Sequence, residues 1–502
     1  MVNLILSKIK EHSVKKGEQI SCRFLNKYIC WSEFEEKTNQ IAYVMQNRFN
    51  IKEHVPILIY NARGIEFIEY MIAVLKCGCF YIPLEHSFPV ERVKYIYDDV
   101  GAALILTDRS DLFDNKLYKT LALDNWDRCI NDYKNKQDYL NINESDLIYA
   151  IYTSGTSGKP KGVKIMYSNV INLIESFYDI LYFKFDEPIQ VGVLASFSFD
   201  SSVKQIYCSL FYGHTLCIAD DSTKIFVKKL YNFYEQYNLT VCDVTPSHLN
   251  LMTIKKIKKT PTIPYLLIGG EILRWEILHK YTQFTNHFPT FINLYGPTEC
   301  CVDVAYKVIS NEELNSNPSG IVPIGRSINN TNLTIRSDNN TIIDECCKKG
   351  ELFVTGKQIG AGYVNYLSDA FFQENGNLVY KTGDIAFYDY NNNDIVVIGR
   401  KDSQVKINGC RVELIEIQSV IEQFMQCPCI AFCVNNGERN KIAIFINNFQ
   451  FSEMDKANLI KHLKCVFPSY MMPNYYLNSA SFPLTENGKI DIKQLQNMLN
   501  KS

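Results

Sequence analysis

No stretch of this 502-residue chain holds the roughly 18 consecutive apolar residues of a membrane span. Its first residues, MVNLILSKIKEHSVKKG, lack the longer apolar core and small-residue cleavage site of a secretion signal and read as an amphipathic surface helix. These two absences make a cytoplasmic protein the expectation. Net charge is only −2, so no whole-chain field favours nucleic acid or an anionic membrane. The 17 cysteines are many but scattered. Cys300-Cys301, Cys346-Cys347 and Cys427-Pro428-Cys429 make no paired CxxC motifs with zinc spacing. The chain is also far longer than a disulfide-stapled scaffold, so free thiols are expected. No repeat of fixed period occurs.

What is present is an ordinary globular composition, 46% hydrophobic and 21% charged, in a chain long enough for two to four domains or subdomains. From about residue 30 to 300, helix-like and strand-like segments alternate. SEFEEKTNQIAYVMQNRF has helical spacing with Ser32 as its expected cap, and HVPILIY is a buried strand. IEFIEYMIAVLKCG is a helix ending at Gly78, and AALILT is again a strand. This βα pattern implies parallel sheets covered by helices. After about residue 305 the texture shifts to short strands with Asn, Gly and Asp turns: TNLTIRS, GELFVTG, LVYKTGDIAFYD and DIVVIGR. A new unit starts near Arg400, with a helix in RVELIEIQSVIEQFM and strands in AFCVNN and KIAIFIN. The expected fold is a multi-domain α/β protein. Residues 1–401 form a large domain of two βα sheets plus a β-rich subdomain at about 305–400. Residues 402–502 form a small α+β domain.

One loop stands out. The apolar strand around Leu147-Ile148-Tyr149-Ala150 runs into IYTSGTSGKPKG, whose glycines, hydroxyls and lysines can bury little. Backbone N–H groups, hydroxyls and lysine together are how proteins cradle phosphates. The segment is not a Walker A loop: Gly155 to Gly158-Lys159 is two residues too short, and Pro160 stands in the Ser/Thr position.

YTSGTSGKPKG resembles the phosphate-loop motif of the adenylate-forming superfamily, which holds acyl- and aryl-CoA ligases, luciferases and the adenylation domains of nonribosomal peptide synthetases. The resemblance covers nearly the whole chain, in the family's order. LKCGCFYIPLEHSFPVERV, FSFDSSV, NLYGPTE and GELFVTG with GAGY are followed by YKTGD, GRKDSQVKINGCRVELIEI, FPSYMMP and NGKID. It implies a reaction in two halves. A carboxylate attacks the α-phosphate of ATP to give an acyl-adenylate and pyrophosphate, and a thiol then displaces AMP. The first half brings anions together and needs cations and donors already in place. By resemblance, Thr153, Ser154, Gly155, Thr156 and Ser157 contact phosphates, and Lys159 and Lys161 neutralise them. Glu299 holds Mg²⁺. Gly270, Glu271, Gly296 and Thr298 complete the nucleotide site, in which Tyr295 stacks on adenine and Asn293 bonds its edge. Asp384 takes the ribose hydroxyls and Arg400 the ribose and phosphate side. Lys489 is implied to bridge substrate carboxylate and phosphate. Asp402 is the implied hinge, after whose rotation Lys406 to Gly409 face the acyl site and pantetheine passes.

FSFD matches the amino-acid-activating branch, with Asp200 on the substrate's α-ammonium. The same matching lines the side-chain pocket with Ser201, Lys204, Asp243, Leu267, Gly269, Leu294, Val302 and Asp303. A buried lysine must have a partner. Either Asp243 or Asp303 satisfies Lys204, or the substrate supplies an anion, and the residue types alone leave both open. The combination resembles glutamate-activating pockets; glutamine pockets are similar with Gln in place of the lysine. D-alanine–carrier protein ligases have small apolar pockets, against which Lys204 and Asp243 argue. A non-catalytic, ligand-sensing relative is the competing class, and the presence of Lys489, Glu299 and Asp384 counts against it. The chain has no LGGxS carrier motif and no HHxxxDG condensation motif. The expected thiol is therefore the phosphopantetheine of a carrier protein in trans, or a free small thiol. Some members of the family also work with a small helper protein.

Overall fold

The computed structural model describes residues 3–122, 142–155, 159–223, 226–254, 263–283, 288–390, 394–402, 404–435, 439–447, 451–478, 482–483 and 492–499. Thr156, Ser157 and Lys489 lie outside these.

The alternating pattern becomes two mainly parallel sheets. One runs, in spatial order, Thr120–Leu121, Leu104–Thr107, Pro56–Asn61, Phe80–Glu85, Leu147–Thr153 and Lys161–Met166. Pro56–Asn61 pairs parallel with both of its neighbours, and five of its six residues are buried. Covered on both faces, such a strand reads as a continuous apolar run rather than an alternation. The other sheet runs Arg326–Ser327, Ala305–Val308, Thr290–Tyr295, Tyr265–Ile268, Val241–Val244, Gln190–Val193, Thr215–Ile218, Ile20–Phe24 and Lys27–Cys30. Its middle is parallel and its two ends antiparallel.

The helix Ile65–Lys76 stops where expected, with Gly78 just past its end at φ +68°. Lys76 is wholly buried, and its Nζ donates to Glu35 (2.8 Å), Thr38 (2.8 Å) and Asn39 (2.6 Å) of the helix Trp31–Arg48. The apolar first residues do form a helix, Leu4–Lys15, with Ile5, Leu6 and Ile9 buried. One local expectation fails. Cys30, not Ser32, caps the helix Trp31–Arg48, without a side-chain bond. Ser32 lies one residue inside and turns its hydroxyl to the Gly17 carbonyl, 3.0 Å away, because the neighbouring turn supplies a better acceptor.

The β-rich sheet comprises Thr331–Arg336, Gly350–Gly356, Asn377–Tyr388 and Phe371–Glu374, with Ile395–Arg400 paired to Asn377–Tyr388. The change of texture at about residue 305 precedes this sheet, because Ala305–Val308 and Arg326–Ser327 still extend the nine-stranded sheet.

The chain divides into two compact units. The first comprises Met1–His86, Tyr97–Tyr152 and Gly162–Lys401. The second comprises Asp402–Ser502 together with Ser87–Ile96 and Thr153–Lys161. Its core is built from Val412, Ile417, Ile421, Ile442, Ile444, Leu459 and Leu463. The strands Gln404–Ile407 and Cys410–Glu413 form a hairpin turned by Asn408 and Gly409, both at positive φ (+50° and +81°). Asn-Gly suits this turn because its backbone twist matches that of the flanking strands. No described helix is long and apolar enough to cross a membrane.

Candidate active site

In open parallel sheets ligands bind beyond the carboxyl ends of the strands, where loops gather over a rigid edge. The expected side-chain pocket is built there. Asp243 lies beside Leu267, and Leu267 beside Ile292, on parallel neighbouring strands, with Leu294 two residues further along. The helix Ser201–Tyr212 follows the FSFD segment, with Asp200 at its N-cap. Helical spacing sets Asp200 and Lys204 on one face. Lys204 is 2% exposed. Its Nζ lies 2.8 Å from Asp243 Oδ2 and 2.8 Å from Asp303 Oδ2, and 4.9 Å from the centre of the Phe177 ring. Burial alone would lower the ammonium's pKa. The two carboxylates outweigh it and hold the pKa above the usual lysine range. Burial pushes Asp243 up to about 6 even with Lys204 beside it, and Asp303 adds to the rise. Of the two partners the residue types left open, the internal one is present, and both aspartates serve. The field of Asp200 and that of Asp303 both raise the buried thiol of Cys301, so the two carboxylates share one neighbourhood. Leu267, Leu294 and Val302 are buried. Ser201 opens the helix, and a Cβ on Gly269 would stand 3.5 Å from the Leu294 Cβ.

Asp303 is delivered by an unusual backbone. Cys301 and Val302 have φ of +48° and +76°, a region that costs a β-branched residue about 1–3 kcal/mol. A buried strut maintains it: Gln358 Nε2 donates to the Cys301 carbonyl (2.9 Å), and its Oε1 accepts from Asn172 (2.8 Å). Gln358→Ala should remove both bonds, leaving Asn172 on the Asn329 carbonyl and the Cys301 carbonyl on Asp303 N, and lose about 0.5–1.5 kcal/mol of stability per bond. It should raise the amino-acid KM and leave the ATP KM unchanged. Urea unfolding and ATP–pyrophosphate exchange check this, and an unaltered amino-acid KM would refute the strut's role.

Arg63 and Glu85 form a second device that the motifs did not flag. Both are buried and pair at 3.0 Å. The guanidinium also donates to the carbonyls of Val193 (2.8 Å) and Ala195 (2.6 Å), while Glu85 accepts from Ser196 Oγ (2.6 Å) and Phe197 N (2.9 Å). The segment that opens FSFD is thereby tied to the ends of the strands Phe80–Glu85 and Gln190–Val193. Glu85 lies inside a quoted motif, but a carboxylate after PL gives no sign of its partner a hundred residues away.

On the nucleotide side the structure brings Tyr295, Asp384 and Arg400 together. The Tyr295 hydroxyl donates to Asp384 Oδ2 in a short bond. Arg400 Nη1 donates to Asp384 Oδ1 (3.3 Å) and to the Thr382 carbonyl (2.9 Å). Burial and the neighbouring carboxylate push the Tyr295 hydroxyl well above its usual range, so it remains a donor. A Cβ on Gly296 would come within 2.1 Å of the Val302 carbonyl, which no side chain tolerates. Thr298 begins the short 3₁₀ turn Thr298–Cys300 that carries Glu299. Glu299 is fully buried and accepts from the Tyr363 hydroxyl at 2.6 Å. Two of these residues also have partners within the protein. Asn293 directs its amide N–H groups to the carbonyls of Val322 (3.3 Å) and Pro323 (2.8 Å), which braces this segment, and its Oδ1 can still accept a hydrogen bond. Glu271 accepts from the backbone and hydroxyl of Ser247 (3.0 and 2.6 Å), fixing the start of the helix Pro246–Ile254. Gly270 precedes it at φ +85°.

Of the expected phosphate loop, Thr153–Lys161 fall in the second unit. Thr153 and Ser154 are buried. Ser154 Oγ donates to the Arg411 carbonyl (3.1 Å) and accepts from Glu413 N (2.9 Å); Gly155 N donates to Glu416 (3.3 Å). A Cβ on Gly155 would lie 2.0 Å from the Lys159 carbonyl, so no side chain fits there. Lys159 is exposed and Lys161 half-buried. In the same unit Asp402 accepts from Gln404 N (3.2 Å), and the Lys406 carbonyl accepts from Asn440 (2.9 Å). Gly409 has a reason of its own to be glycine, the hairpin turn.

Among the described residues, no three His, Cys, Asp or Glu side chains converge to hold a metal ion. A lone Glu299 carboxylate fits an ion whose other ligands are phosphate oxygens and water, the usual surroundings of Mg²⁺.

Comparison with known proteins agrees with this geometry. The family description "AMP-binding enzyme" matches residues 9–364. The chain is 31% identical over 501 residues to bacitracin synthase 1 of Bacillus licheniformis, covering 96% of this chain and 9% of that protein. It is 31% identical to surfactin synthase subunit 1 of Bacillus subtilis (strain 168), covering 94% and 13%. It thus spans only about a tenth of the length of these two relatives. Zwittermicin A synthase ZmaJ of Bacillus cereus is also 31% identical, with 99% of this chain and 95% of that one covered. Among solved structures, the Vibrio cholerae adenylation domain AlmE in complex with glycyl-adenosine-5′-phosphate superposes with a TM-score of 0.82 at 22% identity, covering 99% and 97%. An artificially fused adenylation–PCP di-domain, NpsA-ThdA from Klebsiella oxytoca, gives 0.79 at 19%, covering 99% and 96%. The chain therefore belongs to the AMP-binding enzyme family, as an ATP-dependent adenylating ligase.

Proposed function

We propose that the amino acid is L-glutamate, activated with MgATP and passed as a thioester to the phosphopantetheine of a carrier protein in the cytoplasm. The observation that carries this reading is the Lys204 ammonium, 2% exposed and one helical turn beyond Asp200. An ammonium has three N–H donors. Two go to Asp243 and Asp303, and the third suits the γ-carboxylate of a substrate whose ammonium rests on Asp200. Tyr295, Asp384 and Arg400 hold the adenosine and Glu299 the ion. The occurrence of a PCP domain with an adenylation domain in the Klebsiella oxytoca fusion supports a carrier as acceptor.

A second reading has its own support. Two carboxylates already on one lysine favour an uncharged side chain, and glutamine is the nearest such substrate. ATP–pyrophosphate exchange with glutamate, glutamine, aspartate, ornithine and D-alanine separates the two. Glutamate should lead by orders of magnitude, with aspartate less far behind, since one methylene is worth only about 1–3 kcal/mol. A preference for ornithine or D-alanine would overturn the assignment.

The proposed role of Lys489 gives a further expected result. Lys489→Ala should slow adenylate formation about 10²–10³-fold, the usual cost of one preorganised charge contact. It should leave thioester formation from preformed adenylate largely intact. Equal losses in the two half-reactions would remove the lysine from the first.

A further inference from the structure

The cluster of Lys204, Asp243 and Asp303 carries one positive and two negative charges, hence a net −1 before any substrate binds. The proposed glutamate side chain, on which this inference rests, would add another negative charge to side chains only 2–13% exposed. Unit charges about 4 Å apart at a protein's effective dielectric interact by more than one pKa unit is worth, so the cluster must shed charge. It has one place to do so. Asp243 Oδ2 is bonded to Lys204, whereas Oδ1 is closed off from water and faces only the neutral Gln205 amide. A proton on Oδ1 leaves the contact with Lys204 in place.

We propose that Asp243 is a specificity-determining residue that takes up a proton when an acidic side chain binds beside Lys204, so that glutamate enters with a proton and glutamine without one. Of the other groups facing Asp243, Lys204 is held charged by its partners, Asp303 Oδ2 among them. The hydroxyl of Tyr182 and the thiols of Cys208 and Cys242 are pushed up by burial and stay neutral, and the Gln205 amide does not titrate. Asp243 already titrates at about 6 in the unliganded protein, because burial and Asp303 outweigh Lys204. An added anion raises it further. Below about pH 6 the proton is already present and glutamate binding is independent of pH. Above that, one proton must be taken from water, and the glutamate KM rises by up to about tenfold per pH unit until the pKa of the complex is reached.

The test is titration calorimetry with the non-hydrolysable sulfamoyl-adenosine mimics of the glutamyl and glutaminyl adenylates, at pH 7.5 in phosphate and in Tris. The difference between buffers counts protons. The glutamyl compound should take up close to one proton more than the glutaminyl compound, and Asp243→Asn should abolish the difference. The wild-type comparison stands alone if that variant fails to fold. Equal proton uptake by the two compounds, together with glutamate-dependent exchange, overturns the role of Asp243 and leaves the glutamate assignment intact. Absence of glutamate-dependent exchange overturns both. An exchange KM for glutamate that stays flat from pH 6 to 8.5 also counts against the proposal.

Discussion

Lys204→Met is expected to lose about 3–5 kcal/mol of stability at pH 8, the usual cost of removing one partner from a buried charge cluster. The ammonium is all that separates the carboxylates of Asp243 and Asp303, which are 13% and 8% exposed. Without it two anions face each other away from water, and their pKa values in the folded state rise above the unfolded values. The folded protein then holds more protons than the unfolded chain between those pKa values. The variant's stability is accordingly greatest at low pH and falls as pH rises through the raised pKa. The deficit relative to wild type should be clearly smaller at pH 5 than at pH 8. Urea unfolding at the two pH values measures it. Adding Asp243→Asn and Asp303→Asn to Lys204→Met should recover most of the loss, since a cluster without charge has nothing to desolvate. A single variant as stable as wild type at pH 8 would show that the cluster does not form.

Asp384→Ala should raise the ATP KM by about 10–100-fold, corresponding to hydrogen bonds with a charged partner at about 1.5–3 kcal/mol. The amino-acid KM should change far less. Asp384 is the point at which Tyr295 and Arg400 meet, so its removal frees a tyrosine ring and a guanidinium together. Asp384→Asn retains the shape and one acceptor and should fall between alanine and wild type. Exchange kinetics with each substrate varied in turn give both constants. An unchanged ATP KM would reduce YKTGD to a turn that holds the sheet.

The sequence by itself determined the family, the layered α/β architecture and the order of the motifs. These depend on local matters: apolar strands between helices, glycines where no Cβ fits, and turn residues such as Asn408-Gly409. The helix end at Gly78 and the phosphate loop after a buried strand were legible for the same reason. Roles that depend on a distant partner were not. Ser32 looks like a cap until the Gly17 carbonyl comes within reach. That Asn293 and Glu271 also brace the fold, through Val322, Pro323 and Ser247, has no local signature either. The separation of 130 residues between Arg63 and the Val193 carbonyl leaves no trace in local pattern. The partner of Lys204 is the sharpest case. Residue types allowed either a substrate anion or an internal aspartate, because charge alone has no direction. Only the tertiary structure decided that both aspartates lie 2.8 Å from one nitrogen, since they arrive on a strand and a left-handed turn about sixty residues apart in the chain.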